Sequence, residues 1–516
     1  MTTRATAETY DESPYEGYAY WFTHPDHLRV MAHAHGLSPT PPMSARVLEL
    51  GCGDGGNLLS LASLYPEATF VGLDLSLVHI ETARATATAC SLPHVSFIHG
   101  DLGEVPAALG PFDYIIAHGV YAWIPDEARD RLLATIATHL AAHGVAVVSY
   151  NAWPGQHDLE PLRELMRLHC ATIADPAARV RQARNITRLW VKQVSSREPE
   201  LRAAVAERLN QLVEGSSDQI LRHDWLSEDE HPVSFADFCA HAERHGLAWL
   251  DNAQPASQRP NNLDDEARDL LLALPRGVRQ QQYLDFFENT RFRVTLLTHA
   301  ANIQPTPEAG TVPEVAGFRL DRMADLSVES RLDFDPWSPE SRFRPSVLVE
   351  TPSGYLEVSG APLRIALSTL YHHAPSAVPL PVLFDEVLDQ LVAENQDGGL
   401  TTSEEGRARL FGLLLTELVR FWTRELVHFW FEPPILPSPR RLPRHPTTPA
   451  LQRHLAQRSR FLPNLAHRHC ELDEPRLALL AALDGTLDRD ALTARFGPQT
   501  EHLLSALAAQ ALLLPG

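Results

Sequence analysis

LELGCGDGGN, residues 48–57, is the stretch that decides the fold. It follows a short apolar run and opens a helical pattern. Gly51, Gly53 and Gly55 stand where a backbone can turn tightly and let a ligand approach closely. With Gly56, the first two also satisfy the G-x-G-x-x-G pattern of dinucleotide-binding loops. That pattern is weak alone, so the surrounding sequence has to indicate the ligand.

Short apolar runs alternate with helical patterns on both sides of this loop. The helical patterns include 57–64 and 126–142, and strands joined through such helices lie parallel, with right-handed crossovers. Buried parallel strands are continuous apolar runs. Five runs fit this description: RVLEL (46–50), TFVGLDL (69–75), VSFIHGD (95–101), FDYIIAHG (112–119) and VAVVSYN (145–151).

Two later runs, 247–250 and 291–299, are predicted to be the sixth and seventh strands of the same sheet. Residues 153–220 between the fifth and sixth strands are rich in Arg, Ala, Leu and Glu and have a helical pattern. The predicted fold class is therefore α/β, with a Rossmann-like, seven-stranded core that carries a helical insertion.

Proline-rich breaks at 304–313 and 433–449 predict the division of the remaining chain. A weak repeat of three helices and a short apolar strand, at 362–431 and 474–516, is typical of winged-helix-like units. The second copy is poor in Lys and Arg, so we expect protein contacts rather than DNA binding. The predicted segments are an N-terminal lid with the cofactor-binding core (1–152), a helical insertion or regulatory region that completes the sheet (153–305), a mainly helical winged-helix-like domain (306–432), and a proline-rich linker with a second small winged-helix-like domain (433–516).

Composition narrows the class of partner. The 516 residues include 65 Asp and Glu against 44 Lys and Arg, a formal charge of −21. An acidic surface disfavours nucleic acid and favours a basic protein or peptide. Five widely spaced cysteines indicate reduced thiols and a cytoplasmic protein. The most apolar stretch, 410–431, contains four charges, so we predict a buried element and no membrane insertion.

Three acids at strand ends favour S-adenosylmethionine over NAD as the ligand. Glu49 ends the first strand, where it suits a positively charged methionine amine and would repel a pyrophosphate. Asp74 ends the second strand and suits ribose hydroxyls of either ligand, and Asp101 ends the third, where an adenine amino group can bind. Ligands of open α/β sheets bind at these carboxyl ends. The predicted cofactor site also includes Asn57, Leu75 and Leu102.

The loop after the fourth strand, HGVYAWIP (118–125), is predicted to face the substrate. His118, Tyr121 and Trp123 cluster there, and Tyr150 ends the fifth strand near the same rim. DNA amino-methyltransferases carry an Asn/Asp-Pro-Pro-aromatic signature at this place, so base methylation is disfavoured. A lysine nucleophile must lose its proton. Tyr121 and His118 are the candidates to assist that loss.

An aromatic-rich segment, YDESPYEGYAYWF (10–22), precedes the first strand. Tyrosine and tryptophan rings can hold an alkylammonium group by cation–π contact, so this segment is a candidate lid over the cofactor. Tyr10 and Tyr15 are the predicted contacts. The alternative, an amphipathic helix packed on the sheet, stays open. Histidine pairs occur throughout the chain, but none has the spacing of a ligand set, so no metal site is predicted.

These motifs resemble a bacterial family of class I S-adenosylmethionine-dependent methyltransferases with a regulatory domain, which includes rickettsial protein lysine methyltransferases. The resemblance covers about the first 300 residues, and HGVYAWIP (118–125) and SYNAWPG (149–155) are its more specific elements. It implies cofactor contacts at YDESPY (10–15), the glycine loop, Asp74, Asp101 and His118. It implies protein lysine N-methylation as the leading case.

The predicted function is accordingly methyl transfer from S-adenosylmethionine to a protein or peptide, at lysine. Methylation of a small molecule or modified peptide in a biosynthetic pathway is the first alternative, and a non-catalytic cofactor-binding assembly protein is the second. An NAD-dependent oxidoreductase is disfavoured by Glu49. The sequence leaves open whether the protein forms a homodimer.

Overall fold

The computed structural model describes residues 17–197, 201–227, 230–257, 259–260, 263–303, 317–351, 354–394 and 403–515. A seven-stranded sheet forms its centre, in the order β3-β2-β1-β4-β5-β7-β6. Strands β1 to β5 are parallel, and β7 runs antiparallel between β5 and β6. The strands are β1 (Arg46–Leu50), β2 (Thr69–Asp74), β3 (Val95–His99), β4 (Phe112–Ala117), β5 (Leu140–Asn151), β6 (Leu247–Asn252) and β7 (Phe292–His299).

The strand order reverses between β1 and β4, which opens a crevice at the carboxyl ends of these two strands. All seven predicted strands and the helical insertion are confirmed. The helix predicted over 126–142 ends at His139, because Leu140 already pairs with Phe112 of β4.

Helices cover both faces of this sheet, since successive side chains of a strand point to opposite faces. Val47 packs on one face with the N-terminal helix, and Leu48 packs on the other face with the helix after β4. The helices of the core and insertion are α1 (Pro25–Ala34), α2 (Gly56–Leu64), α3 (Leu77–Ala89), α4 (Asp126–His139), α5 (Glu160–Cys170), α6 (Pro176–Arg197), α7 (Leu201–Gly215), α8 (Phe235–Arg244), α9 (Asp265–Leu272) and α10 (Val278–Glu288).

The insertion has an apolar core of its own, which includes Leu162, Met166 and Trp225. It ends in a π-helical turn, Leu221–Trp225, directly before the chain returns to the sheet. This turn brings residues of the insertion to the crevice.

A middle module follows the sheet. Its antiparallel strands, in the order β11-β8-β12, pack with three helices and share one continuous core with α1 and the sheet. Most large apolar side chains of the stretch 410–431 are buried, as predicted, whereas Leu413 is exposed. The elements are β8 (Ser327–Ser330), the hairpin β9 (Ser346–Thr351) and β10 (Gly354–Ser359), α11 (Ala361–His373), β11 (Val378–Pro379), α12 (Leu380–Ala393), α13 (Glu404–Trp422) and β12 (Val427–Trp430).

A C-terminal module ends the chain after an irregular crossing that includes the proline-rich 433–449. The prediction of an apolar strand after the last helix of this module is wrong. The segment there is irregular, and Leu514 donates its backbone N–H to Thr447. The predicted linker at 304–313 lies outside the described residues. The elements are α14 (Ala450–Leu455), β13 (Phe461–Pro463), β14 (His469–Glu471), α15 (Glu474–Leu480), α16 (Arg489–Phe496) and α17 (Thr500–Ala509). Within the described ranges, no helix combines the length and apolar character needed to cross a membrane.

Candidate active site

A cleft of about 400 Å³ opens at the carboxyl ends of β1 to β4. It brings together most residues of the predicted cofactor site and two of the predicted substrate-facing residues. The predicted residues that line it are Glu49, Gly51, Gly53, Asn57, Asp74, Leu75, Asp101, Leu102, His118 and Trp123. Their positions agree with the prediction, and their individual roles stay predictions.

The glycine loop shapes the floor of the cleft. Gly51 and Gly53 have φ angles of +76° and +53°, which disfavour any residue with a Cβ. A Cβ on Gly51 would come within 2.4 Å of a methyl carbon of Val120, whereas one on Gly53 would meet no described atom within 4 Å. Gly53 also donates its N–H to the Asp74 carboxylate at 2.8 Å. A ligand can therefore lie directly against the Gly53 backbone.

Gly55 does not line the cleft, and its predicted contact with the cofactor stays a prediction. It is the N-cap residue of α2, with a φ of +80°. A Cβ there would come within 2.8 Å of the Phe97 ring. Gly55 therefore allows α2 to pack closely against the sheet.

Glu49 is a buried acid with one unpaired oxygen. Its Oε1 accepts a hydrogen bond from Asn57 Nδ2 at 2.8 Å, while Oε2 has no partner among the described residues. Burial, with smaller contributions from the nearby Asp74 and Asp54, raises the pKa of Glu49 to about 8. A buried carboxylate oxygen without a partner is costly, so this position fits a cationic group such as the amine of an amino acid.

Backbone N–H groups orient the other two acids. Asp74 accepts from Ser76 N at 2.9 Å in addition to Gly53. Asp101 accepts from Gly103 N at 2.8 Å, and its second oxygen lies 3.4 Å from Arg131. Each carboxylate oxygen retains a lone pair, so each can still accept from a ligand hydroxyl or amino group.

His118 lies at the end of β4 against the Tyr20 ring, with centroids 3.9 Å apart. Burial lowers the pKa of His118 to about 4, so the imidazole is neutral near pH 7. Ser149 Oγ accepts from Gly119 N at 2.7 Å and lies within hydrogen-bond distance, 2.8 Å, of His118 Nδ1. Ser149 therefore ties the His118 ring to the backbone at the end of β4. No role was predicted for Ser149, although it lies within the strand before Tyr150.

Tyr121 and Tyr150 do not line the cleft, so their predicted position facing the substrate is wrong. The Tyr121 hydroxyl lies 2.8 Å from Nδ1 of His241, on α8. Nε2 of that imidazole is 3.3 Å from Asp130 Oδ1, so the three side chains form a polar link between α4 and α8. Tyr150 is fully buried, stacks on Phe238, and its hydroxyl contacts Thr295.

The segment before α1 crosses the glycine loop, in agreement with a lid. Gly17 N donates to Asp54 Oδ1 at 3.1 Å and Tyr20 N donates to Asn57 Oδ1 at 3.0 Å. Tyr18 and Tyr20 line the cleft. The predicted contacts Tyr10 and Tyr15 lie outside the described residues.

Several other lining residues had no predicted role, among them His223, Asp224 and Phe292. His223 and Asp224 come from the π-helical turn that ends the insertion. Burial raises the pKa of Asp224 to about 6. The only sequence signal was that these residues lie within the first 300, over which the family resemblance extends.

The strand order, the glycine loop and the acids at the ends of β1 to β3 together define the class I methyltransferase fold. Two family models match the chain: "Methyltransferase domain" over residues 47–144, and "Predicted methyltransferase regulatory domain" over residues 217–299. The second match begins in the insertion and ends with β7, so it contains the turn that supplies Asp224.

Relatives support the same assignment. An uncharacterized protein of Rickettsia prowazekii is 35% identical over 297 residues, which cover 58% of this chain and 54% of that protein. The match thus spans about half the length of that relative. Trans-aconitate 2-methyltransferase of Azoarcus sp. is 34% identical over 207 residues, or 37% of this chain and 76% of that enzyme.

The solved structure of PKMT2 from Rickettsia typhi in complex with AdoHcy shares the fold. It superposes with a TM-score of 0.83 at 21% identity and covers 97% of this chain and all of that one. The chain belongs to the S-adenosylmethionine-dependent methyltransferases that carry a methyltransferase regulatory domain. The residues of the cleft fit this cofactor. Gly53 borders open space, and Glu49 Oε2 has no partner among the described residues, so the methionine amine can pair with it.

Proposed function

We propose that this protein transfers the methyl group of S-adenosylmethionine to the side-chain amine of lysine in a protein or peptide. The observation that carries the proposal is Asp224, an acid that lines the same cleft as the glycine loop and comes from the regulatory region. A lysine ammonium entering the cleft gains an ion pair there, which offsets its loss of hydration.

The cofactor, when bound, supplies an activated methyl group on a sulfonium. The lysine amine must be neutral when it reacts, because only its lone pair can form the new C–N bond while the C–S bond breaks and the electron pair remains on sulfur. Asp224 has a pKa of about 6, so it is ionised near pH 7 and can hold the ammonium until the proton leaves. His118 is neutral at that pH and offers a second polar contact.

Alignment is the main contribution the protein makes to an in-line displacement. The rings of Tyr20 and His118 contact each other at a tilt of 51° where both line the cleft, and Trp123 lines it as well. Aromatic rings favour cationic groups and exclude water. This set is therefore suited to hold an alkylamine in line with a methyl donor.

An exposed aromatic surface adjoins the cleft and favours a macromolecular substrate. Phe292 lines the cleft and is 41% exposed, while Trp153 and Phe286 are 40% and 51% exposed and pack edge to face at 4.9 Å. Exposed aromatic clusters commonly mark protein contacts. The net charge of −21 also favours a basic, lysine-bearing partner.

A small carboxylic acid is the second candidate substrate, because several relatives are named trans-aconitate 2-methyltransferase. The acids of the cleft disfavour an anionic substrate, which makes the amine the better candidate. Methylation labelling distinguishes the two. Incubation of the protein with methyl-labelled cofactor and a bacterial lysate should place label in protein bands.

The matched control is Gly53→Arg, whose side chain would occupy the cleft and should give no labelled bands. Label confined to small molecules would overturn the protein substrate and favour the acid. No transfer by a protein that binds S-adenosylhomocysteine would favour a non-catalytic assembly role.

A further inference from the structure

A histidine of the C-terminal module reaches the wall of the cofactor cleft. His467 is fully buried and lies in the loop 464–469, which joins β13 to β14 and includes the first residue of β14. Its Nε2 is 2.8 Å from Asn57 Oδ1, and its Nδ1 is 2.8 Å from Ser60 Oγ. Asn57 and Ser60 both belong to α2, the helix that the glycine loop opens. This contact joins residues 410 positions apart.

The orientation of Asn57 follows from its partners. Tyr20 N can only donate, so the Asn57 atom that it contacts at 3.0 Å is the amide oxygen. The amide nitrogen therefore faces Glu49 Oε1, to which it donates at 2.8 Å. His467 must then donate through Nε2, and its Nδ1 accepts from the Ser60 hydroxyl. Burial lowers the pKa of His467 to about 3, which keeps the ring neutral in this tautomer.

The loop that presents His467 is held by its own network. Asn464 Oδ1 accepts from Ala466 N and Arg468 N, which closes the turn. Arg468 forms a two-pronged ion pair with Glu329 of β8, both contacts at 3.0 Å. The His469 ring lies 4.7 Å from the Tyr18 ring in the cleft wall. The loop thus contacts the middle module, the lid segment and α2 together.

We propose that His467 is a positioning residue of the cofactor site. It fixes Asn57, which fixes Glu49, so that the free Glu49 oxygen faces the amine of the cofactor. Docking of the C-terminal module and binding of the amino-acid end of the cofactor are then coupled. The inference rests on the cofactor assignment and not on the identity of the substrate.

Two ligands test this coupling by calorimetry. S-adenosylhomocysteine carries the amino-acid end, whereas 5′-methylthioadenosine lacks it. His467→Ala should weaken S-adenosylhomocysteine binding by about tenfold, as expected for loss of a buried hydrogen bond, and leave 5′-methylthioadenosine binding unchanged. His467→Gln keeps a donor and should restore most of the affinity.

Leu492→Ala is the matched control, because Leu492 is buried in the core of the same module. It should lower the stability of the module without changing either affinity. If His467→Ala weakens both ligands equally, or neither, His467 does not position Glu49. Wild-type binding of S-adenosylhomocysteine in the same experiment separates that failure from failure of the cofactor assignment.

Hydrogen exchange on the wild-type protein supplies an independent readout that needs no variant. Coupling is reciprocal, so S-adenosylhomocysteine should slow amide exchange in the loop 464–469, and 5′-methylthioadenosine should not. Equal effects of the two ligands on this loop would overturn the proposal.

Discussion

The raised pKa of Glu49 makes cofactor binding depend on pH in a defined direction. Below about pH 8 the carboxyl of the free protein is protonated, and an ammonium group can pair with it only after that proton leaves. Affinity for S-adenosylhomocysteine should therefore fall as the pH drops below about 8. The α-amine of the ligand belongs to a free amino acid, so it keeps its charge through this range and loses it only at higher pH. The affinity should therefore still rise at about pH 8 and pass through a maximum above it.

The magnitude follows from the ionisation of Glu49. With a pKa of about 8 for Glu49, the ionised fraction of its carboxyl rises roughly 50-fold between about pH 6 and pH 8, while the ligand amine stays charged. Replacement of Glu49 by Gln removes a hydrogen bond between charged groups, which is worth about 1.5–3 kcal/mol. At the optimum this corresponds to a loss of affinity of roughly 10- to 150-fold.

Calorimetry over this pH range, in buffers of different ionisation enthalpy, measures both quantities. The wild-type protein should release close to one proton per ligand bound at pH values well below 8, and Glu49→Gln should release none. Glu81→Gln is the matched control, because Glu81 is exposed on α3 and should leave the profile unchanged. A wild-type affinity independent of pH, with no proton released, would refute the assignment of Glu49 to the ligand amine.

Three further substitutions test other parts of the account. Gly53→Ala should weaken cofactor binding at least tenfold, because the residue has a φ of +53° and faces the ligand space; calorimetry with an unchanged Kd would contradict this. Tyr121→Phe should lower the free energy of unfolding by about 1 kcal/mol and change kcat/KM less than twofold, because the Tyr121 hydroxyl bonds His241 outside the cleft. Denaturant titration and steady-state kinetics measure the two quantities. A large fall in kcat at unchanged stability would restore a catalytic role for Tyr121. Asp224→Asn should raise the KM for a lysine peptide about tenfold or more, as expected for loss of a charged hydrogen bond, and leave the Kd for S-adenosylhomocysteine unchanged. The exposed Asp269→Asn serves as its control, and equal kinetics for both variants would remove Asp224 from the substrate site.

The sheet was predictable because its buried strands are continuous apolar runs, and the acids at their ends identified the cleft. Glu49, Asp74 and Asp101 needed only the rule that strand ends meet at one edge. The prediction of the site residues was wrong where side chains that are close in sequence point in different directions. Trp123 lines the cleft, whereas Tyr121, two positions earlier in the same short turn, points to α8.

Contacts between residues that are far apart in the sequence explain the other features that were not predicted. The environment of Tyr121 depends on His241, 120 positions away, and that of Asn57 depends on His467, 410 positions away. A local sequence pattern does not indicate contacts over such distances in the chain. Asp224 escaped prediction for a similar reason, because only the packing of the insertion brings its π-helical turn to the cleft.

Transfer of the methyl group to a lysine amine can be measured directly by mass-spectrometric mapping of the methylated atom in a protein labelled by the purified enzyme. We expect methyl groups on lysine Nζ, with the yield reduced by Asp224→Asn and abolished by Gly53→Arg. Methyl esters on carboxylates, or methyl groups confined to other side chains, would contradict it.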